Sequence, residues 1–570
     1  TAILKADPKH PDANHNMGVL AVGLGKIEAA LPFFKTALEA NSNIAQYWLS
    51  YIDALIKLDR MTDAKAVLDQ AKSNGAKGDG FDQLEKRLAR AEKDIEVNVA
   101  SKKLQEPSEK QIQPLIDLYS QGQYQKALTK ASQLLEQFPN SINLYNITGA
   151  ANNSLGKLEE AIEAYTKALS IKPNYADAYN NMASALKEQG KLEEATEAYK
   201  KALSIKPDSD EVYNNMGSAL TGVTFNNPDK DLQTAIVSLL DRKIYARPSY
   251  IASSAISLLR LEPSLQKHLQ LADNEVIESP VDVVSDLSQL PLLLKLMSVC
   301  PLPDLELEAL LINLRCFILS YVIDSKGASP ELLNFQSALA LQCFTNEYVY
   351  KNTPQEIRNL QTLETIVKSA LKTNDQPSAQ VVLALASYKA LIQYEWYASL
   401  IITEEIKEVF TRQVEEAEKE NELKSCLPVL EEITDKVSSK VRDQYEKSPY
   451  PRWINLALHL KSKSIVEIIN EVNLKIYDHD INEIERPVIL IAGCGTGQHS
   501  IGTATRFKSS KILAVDLSLS SLAYAKRKTE ELKIGNIEYM QADILDIGRL
   551  NKQFDIIESS GVLHHMENPM

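Results

Sequence analysis

Residues 487–500 read "PVILIAGCGTGQHS". Val488, Ile489 and Ile491 are β-branched and Leu490 keeps the run apolar, which is the composition of a strand buried on both faces. Gly493, Gly495 and Gly497 then alternate with Cys494 and Thr496, marking a backbone that bends where side chains are poorly tolerated, and Gln498 opens a helical pattern. Strand, glycine turn and helix together begin a parallel α/β sheet. The residues that follow keep the rhythm, with "KILAVD" (511–516), "NIEYMQAD" (536–543) and "FDIIESS" (554–560) as short β-rich runs separated by helical ones. In such sheets ligands bind beyond the carboxyl ends of the strands, where the strand order reverses. The turn at 493–497 therefore marks the expected site.

The glycine spacing selects among ligands. A dinucleotide turn, GxGxxG, would place glycine at 498, whereas Gln498 stands there and the third glycine is at 497. A GxGxG turn lets the backbone pass beneath a ligand without a pyrophosphate, while the first N–H groups of the next helix suit a carboxylate. S-adenosylmethionine has a carboxylate and no phosphate. Asp516 ends the second strand, where it could accept both ribose hydroxyls, and Asp543 ends the third, where it could accept from the adenine amino group. Leu517 and Ile544 stand beside them to flank the purine.

With "AGCGTGQ", "AVDLS", "MQADILD" and "FDIIESSGVLHHMENP" in that order, residues 486–570 resemble the amino-terminal half of a class I S-adenosylmethionine-dependent methyltransferase. The last motif is similar to that of small-molecule methyltransferases of quinone biosynthesis. The resemblance implies a Rossmann-like sheet and S-adenosyl-L-methionine as cofactor. It also implies contacts from Ala492, Gly493, Cys494, Gly495, Thr496 and Gly497 in the turn, from Asp516 and Leu517, from Ala542, Asp543 and Ile544, and from Ser559. One departure stands out, since that family often has Asp or Glu two residues before the first glycine and this chain has Ile491. The contact to the methionine amino group must come from elsewhere, such as the backbone at Ala492 or Gly493, and a lower cofactor affinity is expected.

In-line methyl transfer needs alignment and exclusion of water and requires no metal. A general base is needed only for an acceptor that arrives protonated. His564 and His565 are the candidates by position, against the alternative that one of them caps or packs the next helix. Glu558 and Ser559 could line the pocket, and Cys494 reads as a small buried filler. Upstream, "VRDQYEKSPYPRWIN" (441–455) offers Tyr445, Tyr450, Arg452 and Trp453 either as a lid or acceptor wall, or as a linker that Trp453 anchors outside the sheet.

The first half carries a different signal. Residues 142–175 ("INLYNITGAANNSLGKLEEAIEAYTKALSIKPNY") and 176–209 ("ADAYNNMASALKEQGKLEEATEAYKKALSIKPDS") align without a gap at a period of 34. Gly156 and Gly190 turn the chain, Ala161 and Ala195 permit close helix crossing, and Pro173 and Pro207 close each unit. These marks resemble tetratricopeptide repeats. Weaker copies lie at 11–44, 45–78 and 108–141, and a sixth begins after Asp210 but loses its second helix at "TGVTFNNPD". Asn146, Asn180, Asn181, Asn214 and Asn215 recur at fixed register, similar to the superhelix of O-linked N-acetylglucosamine transferases. They are either a ladder of amides for a peptide backbone or tolerated, solvated positions.

The expected architecture is multidomain. An all-α tetratricopeptide array spans 1–220, interrupted around 79–107; a helical connector, punctuated by prolines, spans 221–440; and half of an α/β Rossmann-like methyltransferase sheet spans 441–570. The family's sheet has seven strands and this chain supplies four, so a fragment is expected, with most acceptor residues missing. The formal charge of -14 argues against nucleic acid as a partner. Five cysteines without CxxC spacing suggest a cytoplasmic location. The apolar stretches 305–323 and 379–402 carry charges that argue against a membrane span. Two functional readings stay open: a methyltransferase with a protein- or peptide-binding arm and an unidentified methyl acceptor, or an interaction scaffold with a vestigial methyltransferase domain.

Overall fold

A computed structural model of the chain describes residues 2–58, 60–78, 80–88, 106–272, 280–324, 327–472 and 479–562. The chain divides into two compact units, one formed by 1–114 with 133–141 and the other by 115–132 with 142–570.

In the first unit, helices Pro11–Gly23, Ile27–Ala40, Ala45–Lys57 and Met61–Ser73 pack in succession. Small residues set the spacing, with Ala30, Ala37, Ala64 and Ala71 fully buried. At Gly18 the approach is so close that a Cβ would lie 2.5 Å from the Phe34 ring.

The second unit contains the helix pairs that the 34-residue register demands, Ile142–Ser154 with Leu158–Ile171 and Ala176–Glu188 with Leu192–Ile205. Ala161 and Ala195 are fully buried at the crossings, and the turn glycines 156 and 190 take φ of 72° and 78°. The sixth copy departs from expectation. Its first helix, Asp210–Ala219, is followed by Lys230–Asp241, so a second helix does form after a longer connection. Asp229 starts it, accepting the Leu232 amide at 2.8 Å and pairing with Lys200 at 2.5 Å. One apolar core then runs from Ala183 to Val414. Along it, Pro248, Pro291, Pro330 and Pro354 open helices, where proline lacks only an N–H that has no helical partner anyway. The apolar helix Leu305–Asp324 buries Arg315 against Glu356 at 3.1 Å and over the Tyr388 ring at 4.2 Å. Among the described residues no helix is long and apolar enough to cross a membrane.

The sheet comes last. Strands β1 (Val488–Ala492), β2 (Lys511–Asp516), β3 (Ile537–Gln541) and β4 (Ile556–Ser559) are all parallel, in the order β3-β2-β1-β4. The chain steps outward from β1 to β3 and then returns to the other side of β1, so the order reverses at β1. Ile489, Ile491, Ile512 and Ala514 bury one face and Leu490, Leu513 and Val515 the other, as the unbroken apolar runs require. Four helices frame the site: α1 (Glu416–Cys426), α2 (Lys436–Lys447), α3 (Gln498–Arg506) and α4 (Leu519–Glu531).

Candidate functional site

The turn after β1 is bound to the end of β2. The amides of Gly493 and Cys494 both donate to the Val515 carbonyl at 2.9 Å, and the Gly495 amide donates to the Asp516 carboxylate at 2.8 Å. All three glycines lie in the left-handed region, with φ of 81°, 52° and 87°. Their surroundings differ. A Cβ on Gly493 would lie 2.1 Å from Val562, and one on Gly497 would lie 2.7 Å from Ala525, whereas beside Gly495 the space is open. The outer two glycines serve packing, and the central one leaves room for a ligand.

That room belongs to a cleft of about 600 Å³ across the carboxyl ends of the strands. Gly493, Cys494, Gly495 and Thr496 line it, and so do Asp516, Leu517, Ala542, Asp543 and Ile544. Ala542 and Asp543 are buried, and Asp543 accepts the Leu545 amide at 3.0 Å. Burial pushes the Asp516 carboxyl above its ordinary value, against the pull of the Ser518 and Gly495 amides. Burial likewise raises the Cys494 thiol well above its usual range, which keeps it protonated. Ala492 and Gly497 support the turn from within the strand and at the start of α3 without lining the cleft, and at the end of β4 the lining is by Ser560, Gly561 and Val562 instead of Ser559. His564 and His565 lie outside the described residues.

The upstream segment divides. Tyr445 and Tyr450 line the cleft, together with Val437, Ser438 and Val441 of α2. Arg452 and Trp453 do not, contrary to the lid expectation. The Trp453 indole N–H takes the Thr496 carbonyl at 3.0 Å, and the ring is buried beneath the turn. Arg452 is drawn off by the Tyr524 and Phe344 rings, at 5.6 and 5.7 Å, and by Glu420 at 3.7 Å. Both brace the site from behind.

Two further features escaped the sequence. Asp435 caps α2, accepting the Val437 and Ser438 amides at 2.9 and 2.8 Å, and lines the cleft. His499, in the first turn of α3, lines the cleft and meets Glu558 of β4 at 2.9 Å, while Thr503 donates to the same carboxylate oxygen at 2.6 Å. Burial raises the Glu558 carboxyl, but His499 and Thr503 more than offset that and leave it below its ordinary value. His499 follows the glycine motif directly in sequence, so its position could have been read there; nothing in the sequence marks Asp435.

The Asn register is real, but its amides face one another. Asn181 donates to Asn146 and Asn215 to Asn180, each at 3.0 Å, and Asn180 also donates to Glu211 at 3.2 Å. Asn180 is buried, and Asn214 is half-buried. The ladder ties together the three successive repeats that begin at residues 142, 176 and 210.

A reversing parallel sheet, a left-handed glycine turn and a cleft at the strand ends define a Rossmann-like domain that follows a helical repeat array. Residues 489–570 match the family described as a methyltransferase domain. Residues 149–190 and 183–221 match a TPR repeat, and 15–79 and 117–141 match tetratricopeptide repeats. The chain thus carries tetratricopeptide repeats and a carboxyl-terminal methyltransferase domain. It is 38% identical over 88 residues to an uncharacterized protein of Synechococcus sp., covering 15% of this chain and 21% of that one. To a release factor glutamine methyltransferase of Rhodopirellula baltica it is 28% identical over 97 residues, covering 17% and 31%. The matched stretches therefore span only about a fifth to a third of these relatives. Among solved structures, the first TPR of Spaghetti (RPAP3) bound to an HSP90 peptide is 23% identical, covering 20% of this chain and 94% of that one with a TM-score of 0.19. The Sgt2 TPR domain from Aspergillus fumigatus is 21% identical, covering 20% and 79%, with a TM-score of 0.19.

Proposed function

We propose that the chain is an S-adenosylmethionine-dependent methyltransferase whose cofactor seats in the cleft at the glycine turn and whose repeat arm recruits a protein or peptide. The observation that carries this reading is electrostatic. The described residues lining the cleft include three Asp and one His, and no Lys or Arg. Such a lining disfavours pyrophosphates and nucleotides and favours a cationic nucleoside. The volume suits a ligand of that size.

In this seating Asp543 faces the base, Asp516 the sugar hydroxyls, Leu517 and Ile544 flank the purine, and the first N–H groups of α3 face the carboxylate. Bound there, S-adenosylmethionine supplies an electrophilic methyl group for in-line transfer. Val441, Tyr445 and Tyr450 cover the cleft and limit water. His499 takes the base role that the sequence assigned to His564 or His565. With Nε2 donating to Glu558, its Nδ1 is the acceptor for a proton from the methyl acceptor. For the arm, Asn146, Asn181, Asn214 and Asn215 have more hydrogen-bonding capacity than the inter-repeat bonds use, and this supports a role in holding peptide backbone.

Calorimetric titration with S-adenosylhomocysteine and, separately, with nicotinamide adenine dinucleotide tests the proposal. Saturable binding of the first and none of the second is expected. The reverse pattern would exclude it.

A further inference from the structure

The cleft is not built by the matched domain alone. Asp435, Ser438, Val441, Tyr445 and Tyr450 all line it, and all precede residue 489. We infer that Asp435, on the helix upstream of the methyltransferase domain, is the carboxylate that binds the amino group of the cofactor's methionine portion, so that the upstream helix completes the cofactor site. This rests on the seating proposed above.

A ligand with an ammonium group needs an acceptor near the far end of its nucleoside. Of the three lining carboxylates, Asp516 and Asp543 face the sugar and the base in that seating. The strand that ends at the turn offers no acid, because Ile491 stands there fully buried. Its register neighbour on β4 is Glu558, whose carboxylate holds His499 and Thr503 and does not line the cleft. Asp435 remains. Both capping amides donate to Oδ1 and the Ser438 hydroxyl also meets the carboxylate, whose two oxygens keep lone pairs to accept from a ligand.

Its position is held at both ends. Before α2, the Gln541 amide donates to Pro428 and the Leu430 amide to Gln541, each at 2.9 Å, which lays the chain along β3. At the other end Glu446 accepts the Leu519 amide and the Ser520 hydroxyl, the latter at 2.7 Å, and pairs with Lys424 at 2.6 Å. The Ser438 amide, foremost, holds the Asp435 carboxyl below its ordinary value, so it is charged at neutral pH.

The test compares two probes on the wild-type chain and on Asp435→Asn, which keeps a capping side chain and removes the charge. S-adenosylhomocysteine carries the amino acid portion; 5′-methylthioadenosine shares the nucleoside and lacks it. Asp435→Asn is expected to weaken S-adenosylhomocysteine by roughly ten- to a hundredfold, the range for a charged hydrogen bond, and to leave 5′-methylthioadenosine within about twofold. Glu558→Gln should show no such selective loss. Unchanged S-adenosylhomocysteine affinity in Asp435→Asn, an equal loss for both probes, or the selective loss appearing in Glu558→Gln instead would each overturn the inference while leaving the cofactor reading intact. A wild-type chain that binds neither probe would overturn both.

Discussion

Single residues decide whether the turn can exist and what it attracts. Gly493 has φ of 81° and faces Val562 at 2.1 Å from where a Cβ would stand, so Gly493→Ala adds backbone strain and a clash together. A loss of about 1–3 kcal/mol in urea unfolding is expected, with the turn disordered in whatever remains folded. Asp516 acts through charge. In the proposed seating sugar hydroxyls would donate to its ionised form, and its carboxyl is raised by burial, so protonation sets in at a higher pH than for an ordinary aspartate. S-adenosylhomocysteine affinity should therefore fall as pH drops toward and through the ordinary carboxylate range. Asp516→Asn should bind roughly tenfold or more weakly at neutral pH and should lose that pH dependence, as read by calorimetry across the range. The glycine turn and the strand-end places of both aspartates were legible in the sequence because each stands in a short, fixed motif, though Gly497 supports the turn without lining the cleft. For Arg452 and Trp453 the sequence left a lid and an anchored linker both open, because aromatic and basic residues beside a cleft look the same from the sequence whether they face it or brace it. The indole N–H of Trp453 found its acceptor beneath the turn, at Thr496.

At the scale of elements, short β-rich runs alternating with helical ones identified all four strands, and the 34-residue register identified the helix pairs. The functional face of α2 could not be read. Its cleft residues Val437, Ser438, Val441 and Tyr445 are spaced like those of any solvated amphipathic helix, and they become a wall only because Glu446 fastens the helix to the start of α4. Likewise the delayed helix Lys230–Asp241 was missed because its connection is longer than the repeat's own turn. Burial alone would raise the Glu446 carboxyl, but Lys424 and Ser520 more than offset it and hold it below its ordinary value of 4.5. A carboxyl depressed in the folded state adds stability above its unfolded pKa and loses it as pH falls through the folded one. Glu446→Gln should thus destabilise the chain at neutral pH by about 1–2 kcal/mol and lessen the acid-side decline in stability below about pH 4.5. Amides of α2 should exchange faster in that variant, which hydrogen exchange would register.

Across the whole molecule, the methyltransferase domain is fastened to the helices before it within the second compact unit. Leu456 and Leu458 amides donate to the Lys243 and Ile244 carbonyls at 2.9 Å, and Lys243 pairs with Glu531 of α4 at 2.9 Å. The cleft is accordingly a product of the connector and the sheet together, which a division at 440/441 would conceal. S-adenosylhomocysteine should slow hydrogen exchange in two separated stretches, 435–450 and 488–545, and leave helices Pro11–Gly23 through Met61–Ser73 of the first unit unchanged. Protection limited to 488–545 would mean that α2 takes no part in binding.

The most direct measurement is a crystal structure of this chain with S-adenosylhomocysteine. The account predicts one nucleoside lying across the glycine turn, with its ribose hydroxyls on Asp516 and its adenine amino group on Asp543. A nucleoside bound away from 493–497, or bound there without contact to either aspartate, would contradict it.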